Sequence, residues 1–367
     1  MKQLIHKLYT RGTLAKDELV YLLRHLDAGS TQELYRFAHR KRMEHYGDKV
    51  FLRGLIEFSS YCRQDCLYCG LRASNRYAER YRLKPPDIIA CCREGYNLGY
   101  RTFVLQSGED AWYTERILVE LIRQIKGEFT DAAVTLSIGE REVETYRRLY
   151  EAGADRFLLR HETASERLYR ELHPTMSFAN RRNCLAELQA IGYQVGAGFM
   201  VGLPGQTAED LADDLLYVQT LHADMIGIGP FIPHVRTPLA EEPAGTLEAT
   251  LAMVSLARLM VPDALIPATT ALGTLNREGR EQALRAGANV VMPNLSPLAV
   301  RHKYALYNGK ICTGDESAAC RHCLEMRIRG AGLSVDMGRG DSLKSRQKHP
   351  SLRQEELLIH RQRGNGK

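Results

Sequence analysis

The sequence predicts an α/β protein built as a complete (β/α)8 TIM-type barrel, with an N-terminal helical extension before it and a C-terminal tail after it. Three observations carry that expectation. From Val50 onward, short apolar or β-branched runs alternate with longer amphipathic segments, the alternation by which βα units build a parallel sheet. Eight such runs can be counted, the number a closed barrel requires. Their C-terminal ends read Ser59-Ser60, Ser107-Gly108-Glu109, Ser137, His161-Glu162, Gly202, Pro230, Thr269-Thr270 and Asn294. Those ends are mostly polar, and such barrels keep their chemistry there. A doubly wound open sheet shares the βα repeat, so periodicity does not separate the two folds, and the polar strand ends favour the barrel.

Residues 1–48 read as the helical extension, because Leu19, Leu22, Leu23 and Leu26 form an apolar stripe among charged residues. The barrel is assigned to residues 49–311. Its strands are expected at 50–58, 101–106, 133–137, 156–160, 194–201, 225–228, 264–268 and 289–292. Helices are expected at 86–98, 112–125, 141–151, 178–191, 208–221, 247–259 and 277–286, several of them stopped by Gly99, Gly153, Gly192 and Gly287. Residues 312–367 form the C-terminal extension. After Gly330 it is basic and rich in Gly, Arg and Ser, and it reads as a solvated tail with a short helix over 352–360.

The apolar share of 44% and charged share of 26% fit an ordinary soluble protein and exclude a disordered chain. Charged residues interrupt every apolar run in the first thirty positions. Neither a signal peptide nor a membrane span is expected, and the cytoplasm is the expected compartment. The net charge of +6 is spread along the chain without an aromatic-interleaved basic block, so neither nucleic acid nor membrane is an expected partner. Nine cysteines, an odd number with no export signal, favour metal ligation over disulfides.

Three of those cysteines carry the chemistry. Cys62, Cys66 and Cys69 follow the first strand with C-x3-C-x2-C spacing, on a loop at the barrel mouth. A 4Fe-4S cluster normally takes four thiolates, so three leave one iron open to a small chelating molecule. A structural zinc site or three unconnected core cysteines are the plainer alternatives. Zinc asks for a fourth nitrogen or sulfur donor, and no histidine lies between His45 and His161.

The loop Tyr61-Cys62-Arg63-Gln64-Asp65-Cys66-Leu67-Tyr68-Cys69-Gly70 resembles that of the radical S-adenosylmethionine (SAM) superfamily, with Tyr68 at the aromatic position. The resemblance implies that SAM chelates the open iron and that cluster reduction releases a 5′-deoxyadenosyl radical. Ser107-Gly108-Glu109 is similar to the superfamily's Gly-Gly-Glu element, with Ser107 in place of the first glycine, and is expected to hold the SAM ammonium. Glu162 and Arg181 are expected to take the SAM ribose and carboxylate, against the alternative of an ordinary surface ion pair. His161 reads equally as a core histidine. Met200, ahead of the glycine-rich turn 202–205, is expected to form an apolar wall of the cofactor site.

Within the superfamily, the segments 196–207, 227–234, 266–271 and 291–294 look like the HydE family of FeFe-hydrogenase maturases, although Val235-Arg236 departs from a commoner Pro-Asp. That resemblance implies a cysteine-bound iron carbonyl cyanide as an organometallic substrate, attacked at sulfur during assembly of the two-iron unit. Other maturases and an electron donor are the implied transient partners. Arg160, Thr135, Thr269 and Thr270 are expected to face this anion, and Tyr304 and Tyr307 to line the lower cavity. Each threonine alone reads equally as ordinary strand structure, whereas a barrel-facing guanidinium needs an anion. Cys312, Cys320 and Cys323 look like the accessory iron-sulfur site of some members, for which a second cluster, a zinc ion with His322, or free thiols are the readings. A biotin-synthase-like or methylornithine-synthase-like reaction on carbon, and a noncatalytic iron-sulfur scaffold, are the competing functions.

Overall fold

A computed structural model describes residues 1–313 and 321–348. Nine strands are found among them: β1 Lys49–Leu52, β2 Gly54–Ser59, β3 Thr102–Ser107, β4 Ala133–Ser137, β5 Arg156–Leu158, β6 Gln194–Val201, β7 Met225–Pro230, β8 Val290–Val291 and β9 Ser334–Asp336. Strands β2 to β7 lie in chain order in one parallel six-stranded sheet, and a second parallel sheet has the order β8-β1-β9. Every residue of β2, β6 and β7 is buried, as parallel strands are when helices cover one face and side chains fill the other.

The run expected as one strand over 50–58 breaks at Arg53, which sends β1 to the second sheet. The strand expected at 264–268 is replaced by isolated bridges, Leu265 to Met225 and Pro267 to Val290. Pro262 precedes this stretch and Pro267 lies within it, and a proline cannot donate to a ladder. The strand expected at 289–292 shortens to Val290–Val291. A further bridge joins Asn294 to Leu55, where the Leu55 N–H donates to the Pro293 carbonyl at 2.8 Å.

Local chemistry starts and stops the helices close to where expected. The helix Phe178–Ile191 is capped by the Ser177 side chain, which accepts from the Asn180 N–H, and ends at Gly192 in the left-handed conformation. The helix Ala208–Thr220 opens with a capping box between Thr207 and Asp210. Glu166–Leu172 and Thr270–Leu275 are helices that the pattern did not predict. Residues before β1 form α1 Lys2–Arg11, α2 Lys16–His25 and α3 Ala28–Tyr46. Helices α1 and α3 pack on the helix Leu247–Met260, which is buried from Thr250 to its end. A helix apolar on all sides needs such a second cover.

The described part of the segment after Gly330, residues 331–348, is not a solvated tail. Strand β9 pairs with β1, and residues 339–342 then cross the N-terminal ends of the other strands. Arg156 Nη2 donates to Asp341 Oδ1 at 2.6 Å, Gln194 Nε2 to the same oxygen at 2.7 Å, and Arg53 Nη2 to the Gly340 carbonyl at 3.1 Å. Thr102 Oγ1 donates to the Arg339 carbonyl at 2.8 Å. Burial pushes the Asp341 carboxyl up, but Arg156 and Arg339 outweigh it and hold the group far below the usual carboxylate range. Basic composition misleads here because it does not show which charges find buried partners. The helix expected over 352–360 lies outside the described residues. Among the described residues, no helix is long and apolar enough to cross a membrane.

Candidate active site

A cavity of about 360 Å³ opens at the C-terminal ends of the strands. It is lined by Cys62, Cys66, Tyr68 and Cys69, by Ser107, Gly108 and Glu109, and by Arg160, Glu162, Arg181 and Met200. Thr269, Thr270, Tyr304 and Tyr307 complete the set expected there, with the exception of Thr135. Thr135 faces a separate space of about 20 Å³ toward the strand N-termini, beside Arg53 and Met225. The period-two register explains the error, since Ser137, two residues on, is the β4 residue that reaches the main cavity.

The cysteine loop is held by its own polar groups. Arg80 donates to the carbonyls of Leu71 and Arg72, and Asp65 accepts from Arg72 Nε at 3.0 Å and from the Ser74 N–H at 2.9 Å. The Glu109 N–H points at Cys62 Sγ and the Leu71 N–H at Cys69 Sγ, each at 3.4 Å. Burial pushes the Cys69 thiol up to about 12 and the Cys66 thiol well above its ordinary range, and the neighbouring thiols add to the penalty. Three thiols crowded where none ionises readily are matched to a polycationic group that takes all three as thiolates. Among the described residues no three donors meet at single-ion spacing, and a cubane asks for none, because each cysteine ligates a different iron.

Beside the loop, Glu109 is buried and mostly engaged. Its Oε2 accepts from Arg63 Nε at 3.1 Å and Gln64 Nε2 at 2.6 Å, and its Oε1 from the Glu140 N–H at 2.9 Å. Gly139 makes this approach possible, since a Cβ there would lie 2.0 Å from Glu109 Cγ at a backbone φ of 73°. Three donors leave room for about one more on a carboxylate, which suits a shared contact with an ammonium. Arg181 is fixed by Glu140, Nε to Oε1 at 2.6 Å, with side chains only 8% and 10% exposed, so its ion pair is buried and made with Glu140, not a surface pair as in the alternative weighed for Glu162 and Arg181.

Deeper in, Arg160 Nη2 lies 3.1 Å from Glu162 Oε2. The contact is an ion pair by distance without hydrogen-bond direction: Arg160 Nε and Nη2, Glu162 Oε2 and Thr269 Oγ1 are buried with no hydrogen-bond partner among the described residues. Unpartnered polar atoms around a cavity are groups that a bound ligand would satisfy.

Several residues of the site carried no clear sign in the sequence. Glu57 of β2 enters the cavity, bound to Lys310 Nζ at 2.6 Å and to Asn294 Nδ2 at 2.9 Å. It was visible as the one charge in the run Leu55-Ile56-Glu57-Phe58, whereas Lys310 gave no signal. Tyr68 is held through its hydroxyl by His173, which was not expected at the site. His161 does not line the cavity. Of the second triplet, Cys312 receives Arg280 Nη2 at 2.7 Å, and Cys323 lies on the helix Arg321–Gly330 and is disulfide-bonded. Cys320 lies outside the described residues.

Comparison with known proteins follows the same lines. Residues 56–218 match the model of the radical SAM superfamily. Over 90% of this chain and 94% of its counterpart, the sequence is 47% identical to the FeFe hydrogenase maturase subunit HydE of Thermotoga maritima. It is 31% identical to 3-methylornithine synthase of Methanosarcina acetivorans over 76% of this chain and 79% of that one. A crystal structure of methylornithine synthase superposes with a TM-score of 0.78 at 27% identity, covering 91% of this chain and 97% of that one.

Proposed function

The chain belongs to the HydE family of radical SAM FeFe-hydrogenase maturases, and from that premise we propose that it processes a cysteine-bound iron carbonyl cyanide during assembly of the hydrogenase two-iron unit. It is a radical SAM enzyme, and its family implies a 4Fe-4S cluster and SAM as cofactors. When bound and reduced, these supply a 5′-deoxyadenosyl radical.

In this reading Cys62, Cys66 and Cys69 hold the cluster. Ser107, Gly108 and Glu109 receive the SAM ammonium, Arg181 its carboxylate and Glu162 its ribose, while Tyr68 and Met200 wall the nucleoside. Arg160, Thr269 and Thr270 orient the anionic end of the substrate, and Tyr304 and Tyr307 exclude water from the far wall. The observation that carries the proposal is one continuous cavity joining the three thiols to Arg160 and Thr269, which have buried polar atoms without hydrogen-bond partners among the described residues. An anion there would satisfy both, with a charge-assisted contact at the guanidinium.

We read the parallel sheet as a closed (β/α)8 barrel over residues 49–311, with 264–268 and 289–294 as its last two staves. The bridges from Met225 to Leu265, from Pro267 to Val290 and from Asn294 to Leu55 support that reading. Residues 1–48 and 312–367 flank it; Cys323 is disulfide-bonded, against the expected preference for metal ligation, so Cys312, Cys320 and Cys323 do not offer three thiolates together and the triplet stays outside the catalytic steps. A second maturase delivers the substrate and a one-electron donor reduces the cluster, in the cytoplasm.

The test is anaerobic activation of apo FeFe-hydrogenase in a defined maturation mixture, with this protein included, omitted or replaced by Cys66→Ser. Activation that needs the intact protein is the expected result. Equal activation without it would overturn the maturase role and favour the second reading, a methylornithine-synthase-like reaction on carbon, which the 31% identity to 3-methylornithine synthase supports.

A further inference from the structure

Glu162 has a backbone φ of 66°, the left-handed region that non-glycine residues rarely occupy. Such a residue persists only where its surroundings over-determine it, and such residues gather at functional sites. The strain here sits in a tight turn: the Thr163 N–H donates to the His161 carbonyl at 2.8 Å, with Glu162 at the apex. The carboxylate at that apex lines the cavity, and its Oε2 has no hydrogen-bond partner among the described residues.

What holds the turn comes from behind it. Asp214, on the helix Ala208–Thr220, is wholly buried, and neither it nor His161 lines the main cavity. Its Oδ1 accepts from both flanks of the turn, from the Ala164 N–H after the apex and from His161 Nε2 before it at 3.2 Å. The other ring nitrogen of His161, Nδ1, accepts from the Gly198 N–H of β6 at 3.3 Å. That fixes the neutral tautomer, with its proton on Nε2 facing Asp214. The Gly198 carbonyl in turn accepts from the Glu162 N–H at 3.0 Å, and the Glu162 carbonyl accepts from the Met200 N–H at 3.1 Å. One carboxylate oxygen therefore clamps both sides of the turn, and the imidazole links that clamp to the neighbouring strand.

We propose that His161 and Asp214 are positioning residues that lock Glu162 in its left-handed conformation, so that its carboxylate is held ready for the ribose hydroxyls of SAM before SAM arrives. The proposal rests on the reading that Glu162 takes the ribose. It treats the pair as acting only through Glu162, and so predicts how their substitutions combine. Asp214→Asn keeps an acceptor at Oδ1 and preserves the lock. Asp214→Leu removes the acceptor and frees the turn.

The experiment is anaerobic calorimetric titration of SAM into the cluster-reconstituted protein, with iron content and melting temperature recorded for each variant. Asp214→Leu is expected to weaken SAM binding by about tenfold and Asp214→Asn by little. In a Glu162→Ala background, Asp214→Leu is expected to add nothing, because the group it positions is gone. If Asp214→Leu does not fold, His161→Phe takes its place and is expected to weaken SAM in the same way. Binding unchanged by Asp214→Leu, or weakened by the same factor with Glu162 already removed, would overturn the clamp while leaving Glu162 in its role. Unchanged binding in Glu162→Gln would overturn the ribose reading itself, and the clamp with it.

Discussion

The Tyr68 hydroxyl donates to Nε2 of His173 at 2.9 Å, and Nδ1 of the same ring donates to the Tyr169 carbonyl at 2.8 Å. The aromatic residue of the cysteine loop is therefore tied to the end of the helix Glu166–Leu172 by a neutral imidazole with both nitrogens used.

Burial holds the conjugate acid of His173 down at about 3. In the unfolded chain the same group titrates near about 6.5. The unfolded state thus takes up a proton the folded state refuses, and the stability from a neutral His173 is complete above about pH 6.5 and lost as pH falls toward 3. The melting temperature of the wild-type protein is expected to fall more steeply than that of His173→Gln between about pH 7 and about pH 5. Parallel curves would show that His173 does not carry this linkage.

At the opposite end of the strands, Asp341 faces Arg156 with side chains 3% and 0% exposed. Asp341→Asn leaves that guanidinium buried without its counter-charge, and a loss of about 3–5 kcal/mol in urea unfolding is expected. Because the folded carboxyl is held far down, its contribution exists above the unfolded value of about 3.9 and disappears as pH falls below it. Wild type and variant should therefore converge in acid, and a gap that persists there would refute the ion-pair account.

Of the cysteines, Cys66→Ser is expected to abolish formation of 5′-deoxyadenosine from SAM, while Cys320→Ser leaves most of it. Product assay by liquid chromatography on both reconstituted variants checks the difference. Equal loss in both would merge the two triplets into one function.

Arg160→Gln removes the cation facing the deep cavity. A charge-assisted contact contributes about 1.5–3 kcal/mol, so substrate binding should weaken roughly 10- to 100-fold while SAM binding changes less. Titration with a small anionic cysteine derivative reads the first quantity and titration with SAM the second. A larger loss for SAM would move Arg160 from the substrate to the cofactor.

Features encoded within a few residues were legible in advance. The cysteine loop, the βα alternation and the Ser107-Gly108-Glu109 turn each lie within one element and its connection. Pairs made across the fold were not. Glu57 meets Lys310 across 253 positions and Tyr68 meets His173 across 105, and nothing local to either partner announces the other. The same holds for His161 and Asp214, 53 positions apart. Thr135 shows a subtler limit: the alternation along β4 gives the face of a residue, yet the depth at which the cavity ends is set by residues distant in sequence, Arg53 and Met225 among them. At 264–268 the apolar content favours a strand, while Pro262 and Pro267 remove the N–H donors that a ladder needs.

The crossing of residues 339–342 beneath the strands also has a bearing on synthesis. Arg53 finds the Gly340 carbonyl 287 positions later, and Arg156 finds Asp341 185 positions later. A chain emerging from the ribosome makes every stave of the wall before the segment that neutralises its floor. Until residue 341 is out, a guanidinium destined for burial stays tied to water, and the half-made sheet has reason to remain open there. Contacts this distant in sequence are slow to close, so the final step of folding should be a late, all-or-none docking and not a gradual zipping from the first strand.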